Sequence, residues 1–129
     1  MHQIPNLKDK KMKVLIILSH APYDGSDVAW NALRLGEKLL ESGVEVKYFL
    51  MNDAVDLARD KCVKPENYDN DLVMILKNLI AKGVSMEVCG TCQARCGIYK
   101  NEPYYDGAVK STMPNLANLI LTSDKVLSF

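Results

Sequence analysis

The sequence predicts an α/β domain in which a mostly parallel five-stranded sheet carries helices on both faces. Segments with strand patterns alternate along the chain with segments whose apolar residues recur at helical spacing. The first strand, residues 14–18, is a continuous apolar run rich in β-branched residues, which is typical of a strand covered on both faces. This alternation favours parallel strands joined by right-handed crossovers.

The first unit of the predicted sheet is a strand, a loop and a helix. The loop over residues 19–26 contains proline and glycine, and Ser26 or Asp27 is placed to cap the helix that follows. Apolar residues then recur at helical spacing until about residue 42. Gly43 stands where a helix end favours a left-handed residue, so the helix is predicted to end there.

The unit then repeats with a longer connection. Residues 44–51 predict the second strand, and Asp53 is predicted to cap the short helix that follows it. After a linking loop, Asp69 or Asn70 is the predicted cap of a longer amphipathic helix that ends near Gly83. Two helices are therefore expected between the second strand and the third.

The third strand leads directly into the cysteine-rich part of the chain. Residues 84–88 alternate apolar and polar residues, as a short strand does, and the pattern breaks at Gly90. Cys89 is therefore expected at the carboxyl end of a strand. In an open parallel sheet, these strand ends form the edge at which ligands bind.

The last part of the chain completes the sheet. Residues 108–110 predict a short fourth strand, and Pro114 suits the first turn of a helix capped by Ser111 or Thr112. Residues 125–129 alternate as the fifth strand. The helix between these strands is predicted to bury three apolar residues: Leu116, Leu119 and Ile120.

Composition restricts the kind of protein. The chain has 129 residues, enough for one domain with its own core, and its 16 basic and 16 acidic residues balance. No long run of one charge indicates nucleic acid or a membrane surface as a partner. No apolar run spans a bilayer and no signal peptide is recognisable, so a cytoplasmic location is predicted. Residues 1–12 predict a mobile leader before a domain over residues 13–129.

Three of the four cysteines lie close together, at positions 89, 92 and 96. In a reducing compartment they indicate reactive or metal-binding thiols rather than disulfides. Cys92 is placed to attack a persulfide or disulfide at Cys89, or simply to pack, and Cys96 follows one helical turn later. His20 follows the first strand at the same edge and is a candidate acid, base or donor to a thiolate. Nothing local marks Cys62 as reactive.

Metal binding is an alternative chemistry for these clustered thiols. The C-x2-C-x3-C spacing offers three thiolates, whereas a structural zinc site takes four ligands, so Cys62 or His20 would have to complete it. An iron–sulfur cluster meets the same shortage. We therefore predict no bound metal. Because the sequence has neither GxGxxG nor P-loop spacing, we also predict no organic cofactor and no nucleotide site.

Four stretches, in order, resemble the DsrE/DsrF-like family: LSHAPYDG from residue 18, FLMNDAV from residue 49, VCGTC from residue 88 and DKVLSF from residue 124. The resemblance implies a three-layer α/β/α sandwich around the parallel sheet and assembly into homotrimers or hexamers. It also implies that Cys89 accepts sulfane sulfur as a persulfide and passes it on. The partners would be sulfur donor and acceptor proteins or small sulfur compounds.

Cys89 is predicted to be the most readily ionised of the four cysteines. The Gly-Thr turn after it presents backbone N–H groups, and Arg95 is a possible added charge. Cys96 departs from the family pattern, which commonly has another residue there. Two alternatives stay open: an oligomeric binding module, with or without zinc on the cysteines, and a dithiol redox protein using Cys89 and Cys92.

Overall fold

Five parallel strands form the centre of the protein, whose computed structural model describes residues 11–92 and 103–129. Across the sheet the strands lie in the order fourth, third, second, first, fifth, and every pairing between them is parallel. The predicted α/β sheet is confirmed, with Cys89 as the last residue of the third strand. The strands are β1 (Lys13–Leu18), β2 (Glu45–Leu50), β3 (Ser85–Cys89), β4 (Ala108–Ser111) and β5 (Lys125–Ser128).

Helices cover both faces of this sheet. They are α1 (Val28–Glu41), the 3₁₀ helix Asn52–Ala58, α2 (Leu72–Ala81) and α3 (Met113–Thr122). The chain steps from β1 to β4 in one direction across the sheet, and the crossover from β4 to β5 runs back the other way. Because such crossovers are right-handed, α3 lies on the face opposite α1 and α2. This gives the three-layer sandwich that the family resemblance implies.

The central strands are buried on both faces, as the apolar run predicted. Leu15 and Ile16 are successive residues of β1 that point to opposite faces, and both are fully buried. Tyr48 and Phe49 on β2 repeat this arrangement. The Tyr48 hydroxyl donates a hydrogen bond to the Ala32 carbonyl of α1 at 2.7 Å, which ties the helix to the sheet.

The predicted cap of α2 is wrong by one or two residues. Asp71 is the N-cap, and its carboxylate accepts a hydrogen bond from the Met74 N–H at 3.0 Å. Asp69 and Asn70 lie before it in the chain. The helix begins at Leu72 because this apolar residue is buried in the core, and the capping side chain must directly precede it.

Two further local predictions are wrong. Met51 occupies the N-cap position of the 3₁₀ helix, so Asp53 lies in its first turn. Ile120 is 41 % exposed, because α3 turns Leu116 and Leu119 toward the core and leaves Ile120 on its outer side. Thr112 caps this helix, and its hydroxyl accepts from the Asn115 N–H at 3.3 Å.

The remaining boundaries agree with the predictions to within about one residue, and Asp27 stands at the N-cap of α1 as one of the two predicted caps. Residues 1–10 of the predicted leader lie outside the described part of the chain. Within residues 11–92 and 103–129, no helix has the length and hydrophobicity needed to cross a membrane.

Candidate functional site

Cys89 ends β3, and helical backbone begins at the next residue, Gly90. The Cys89 Sγ accepts a hydrogen bond from the Cys92 backbone N–H at 3.4 Å. This is the geometry of a helix N-cap, in which a side chain pairs with an N–H that has no acceptor within the helix. The N–H donor that the sequence predicted for this sulfur is therefore present.

The Cys89 side chain is sheltered. It is a free thiol, and the residue is only 2 % exposed. Cys92 is half-buried and packs against the edge of the core. The Cys89 side chain is therefore largely shielded from solvent, whereas Cys92 stands nearer the surface.

Cys62 has the properties of an unreactive thiol, in agreement with the sequence analysis. Burial raises its pKa to about 11, and the nearby Asp56 carboxylate adds to the effect. Because the nucleophile is the thiolate and not the thiol, Cys62 is a poor nucleophile at neutral pH.

His20 lies at the same edge of the sheet as Cys89, but the structure does not bring the two together. β2 stands between their strands, and neighbouring strands are about 4.8 Å apart, so the two strand ends are about 10 Å apart. His20 is exposed, and in the part of the chain that the structure describes no hydrogen bond joins it to Cys89. Its predicted role as an acid or base stays a prediction.

The remaining candidates from the sequence are Cys96, Arg95 and a metal site on the clustered cysteines. Cys96 and Arg95 belong to the undescribed segment, so their roles stay predictions. Within residues 11–92 and 103–129, no three side chains of histidine, cysteine, aspartate or glutamate are placed to hold a metal ion.

A hydrogen-bonded group beside Cys89 was not predicted from the sequence. Ser111 on β4 pairs with Cys89 in the sheet register and is buried. Its hydroxyl donates to the Glu87 carboxylate at 2.5 Å and accepts from the Asn115 side chain at 3.2 Å. Glu87 and Cys89 are two residues apart on one strand and so share a face. The group therefore connects the end of β3 to β4 and α3.

Lys110 also approaches this end of β3. A Cβ atom at Gly90 would clash with the Lys110 Cε and lie 2.9 Å from its Cγ, so the absence of a side chain there lets the lysine stem cross the turn. Lys110 thus brings a positive charge beside the turn that follows Cys89. The sequence predicts a strand over residues 108–110. The approach of Lys110 to this turn, however, depends on how β4 aligns with β3 and could not be predicted from the sequence.

Comparison with known proteins gives consistent matches along the chain. A sequence model of the DsrE/DsrF-like family matches residues 12–129. The uncharacterized protein MJ0989 of Methanocaldococcus jannaschii is 37 % identical over 118 residues, which cover 92 % of this chain and all of that protein. Protein YchN of Escherichia coli K12 is 36 % identical over 119 residues, which cover 91 % of this chain and 98 % of YchN.

The fold agrees with this relationship. The crystal structure of the ychN protein from E. coli matches with a TM-score of 0.80 at 36 % identity, covering 92 % of this chain and 99 % of that chain. The sequence resemblance and the three-layer architecture therefore point to the same relatives.

Proposed function

Because this chain belongs to the DsrE/DsrF-like family, we propose that it is a sulfur-relay protein that holds sulfane sulfur as a persulfide on Cys89. Membership supports a sulfur-relay role at the level of the family. The observation that carries the proposal for this chain is the position of Cys89, which ends β3 and whose Sγ accepts the Cys92 N–H at 3.4 Å. The thiolate is the form of a cysteine that reacts, and the Cys92 N–H is placed to donate to the Cys89 sulfur.

The proposed reaction is a thiol exchange. The Cys89 thiolate attacks the outer sulfur of a donor persulfide, the donor's S–S bond breaks, and the donor leaves as a thiolate. A new S–S bond then holds that sulfur on Cys89. Attack by an acceptor thiolate on the same outer sulfur discharges it and restores the Cys89 thiolate. The donor and acceptor are other proteins or small sulfur compounds, and the exchange involves no net oxidation or reduction.

Mass spectrometry of the wild-type protein tests this proposal. Incubation with polysulfide or thiosulfate should add the mass of one sulfur atom to Cys89. Trypsin cleaves after Lys82 and Arg95, so one peptide contains both Cys89 and Cys92, and fragment ions between them must locate the sulfur. No uptake from either donor, or uptake mainly elsewhere, would contradict the proposal.

Replacing Cys92 by serine should lengthen the life of the sulfur adduct severalfold. In the wild type, the Cys92 thiolate is placed to attack the Cys89 Sγ, form a Cys89–Cys92 disulfide and release hydrosulfide. Serine cannot do so. Adduct decay and sulfide release are measured together, with Cys62→Ser as the control that should decay like the wild type. An adduct life in Cys92→Ser that is equal to or shorter than that of the wild type would rule out this release route.

We also propose that the chain assembles as a homo-oligomer, a trimer or hexamer. Large apolar side chains lie exposed on β4 and on α3, including Val109, Met113 and Leu121, the last of them 84 % exposed. Their burial between copies would stabilise association, since apolar area contributes about 25 cal/mol per Å². Light scattering at micromolar concentration should give three or six times 14.4 kDa. A clean monomer would contradict the proposal.

A further inference from the structure

Lys110 on β4 places a positive charge at the turn that follows Cys89. In the sheet register it pairs with Val88, the residue before Cys89. Its side chain is exposed, and among the described residues the basic side chains that form ion pairs with acids are those at positions 38, 47 and 59. The Lys110 ammonium is therefore available to an anion that approaches from solvent.

The stem of Lys110 lies directly over Gly90. Gly90 is buried, and a Cβ atom there would overlap the Lys110 Cε and lie 3.2 Å from its Cδ. The apolar stem thus covers the turn while the charged end stays in water. Because Gly90 follows Cys89, bond lengths alone place the ammonium nitrogen within about 9 Å of the Cys89 Cα. This is close to the Debye length of about 8 Å at physiological ionic strength, so the charge acts on a reactant at Cys89.

Neighbouring carboxylates do not neutralise Lys110. Successive residues of a strand point to opposite faces, so Lys110 lies on the other face of the sheet from Ser111. The Glu87 carboxylate is on the Ser111 side, where it accepts the serine hydroxyl. Asp53 follows β2, which lies on the opposite side of β3 from β4. A sulfur donor that approaches Cys89 from the β4 side therefore meets a positive charge.

We infer that Lys110 selects small persulfides of net negative charge as sulfur donors, by attracting them to the turn beside Cys89. This inference rests on the proposed function and names its substrate class. Cys89 is only 2 % exposed, which favours a small compound over a folded protein, whose own cysteine would have to enter the same space. The transfer is the exchange already described: the Cys89 thiolate takes the outer sulfur, and the donor leaves as a thiolate.

The test compares two donors of opposite charge in a Cys92→Ser parent, in which the tryptic peptide 83–95 contains one cysteine, Cys89. The donors are glutathione persulfide, whose glutathione part is anionic, and cysteamine persulfide, whose amine is cationic. Mass spectrometry gives the initial rate of sulfur addition from each donor at low salt, and the anionic-to-cationic rate ratio is the readout. Lys110→Gln should lower this ratio about fivefold, because losing the charge slows the anion and speeds the cation.

Two further variants separate charge from packing. Lys110→Arg keeps the charge and should keep the rate ratio. Lys125→Gln is the matched control, since Lys125 is an exposed lysine at the start of β5, three strands from β3 and so about 14 Å away across the sheet. Screening over that distance should leave the ratio unchanged.

Salt dependence gives a readout that needs no lysine variant. As salt rises, the rate ratio of the Cys92→Ser parent should fall toward that of Lys110→Gln, since salt screens the charge. A ratio in Lys110→Gln equal to that of the parent, an equal fall in Lys125→Gln, a loss of the ratio in Lys110→Arg, or a parent ratio that salt does not change would each overturn the inference and leave the carrier function standing. If neither donor adds sulfur to Cys89 in the parent, the carrier function fails and the inference fails with it.

Discussion

Replacing Cys89 by serine should abolish sulfur uptake from polysulfide and from thiosulfate. A serine hydroxyl does not form the S–S bond that a persulfide requires, and it ionises far less readily than a thiol. The fold should survive, because serine is close in size to cysteine and is a favoured N-cap residue that can accept the same Cys92 N–H. Intact-mass analysis before and after incubation measures the loss, and thermal unfolding checks that the variant is folded.

Cys62→Ser is the matched control for that experiment. Cys62, like Cys89, is a buried cysteine. Its pKa is raised to about 11, however, so it remains a thiol at neutral pH. Its replacement should therefore leave sulfur uptake unchanged. If the adduct persists in Cys89→Ser, sulfur binds elsewhere and the carrier function on Cys89 is wrong.

The two alternatives to a sulfur carrier give different results in the same assays. A dithiol redox protein would form a Cys89–Cys92 disulfide under mild oxidation. Neither Cys92→Ser nor Cys89→Ser could form this disulfide. An oligomeric binding module would assemble normally and take up no sulfur in any variant. The carrier keeps sulfur in Cys92→Ser and loses it in Cys89→Ser, which neither alternative does.

The sheet could be predicted because its strands are marked by local patterns. The run at residues 14–18 is apolar on both faces because β1 lies between β2 and β5 with helices above and below. The N-cap of α2 was harder to predict, since Asp69, Asn70 and Asp71 are all favourable N-cap residues in isolation. The choice among them depends on which apolar residue the core buries first, and that is a property of the packed fold.

The same distinction applies to the candidate site. The strand-end position of Cys89 and its backbone donor are local and follow from the break at Gly90. Ser111 and Lys110 reach the site from β4, which lies much further along the chain than the Cys89 turn. Their arrival depends on the register between β3 and β4, which leaves no periodic signal in the sequence.

Gly36→Ala should destabilise the protein, although helix propensity alone predicts the opposite. Alanine is favoured over glycine within a helix by about 1 kcal/mol. Gly36, however, is buried where α1 meets β2, and a Cβ there would overlap the Tyr48 hydroxyl and lie 2.7 Å from its Cζ. Tyr48 has no room to move, because its side chain is fully buried and its hydroxyl donates to the Ala32 carbonyl at 2.7 Å. Overpacking of this kind costs about 1–3 kcal/mol, and displacing the hydroxyl adds the loss of its hydrogen bond.

Urea unfolding of four proteins measures this effect: the wild type, Gly36→Ala, Tyr48→Phe and the double variant. Tyr48→Phe removes the atom that the new methyl group would overlap most, so Gly36→Ala should cost less stability in that background than in the wild type. Recovery should be partial, because the ring carbon at 2.7 Å remains. If Gly36→Ala instead unfolds at the same or a higher urea concentration than the wild type, the helix does not pack against β2 as closely as described. The two variants should then act additively, because the methyl group and the hydroxyl would no longer compete for one space.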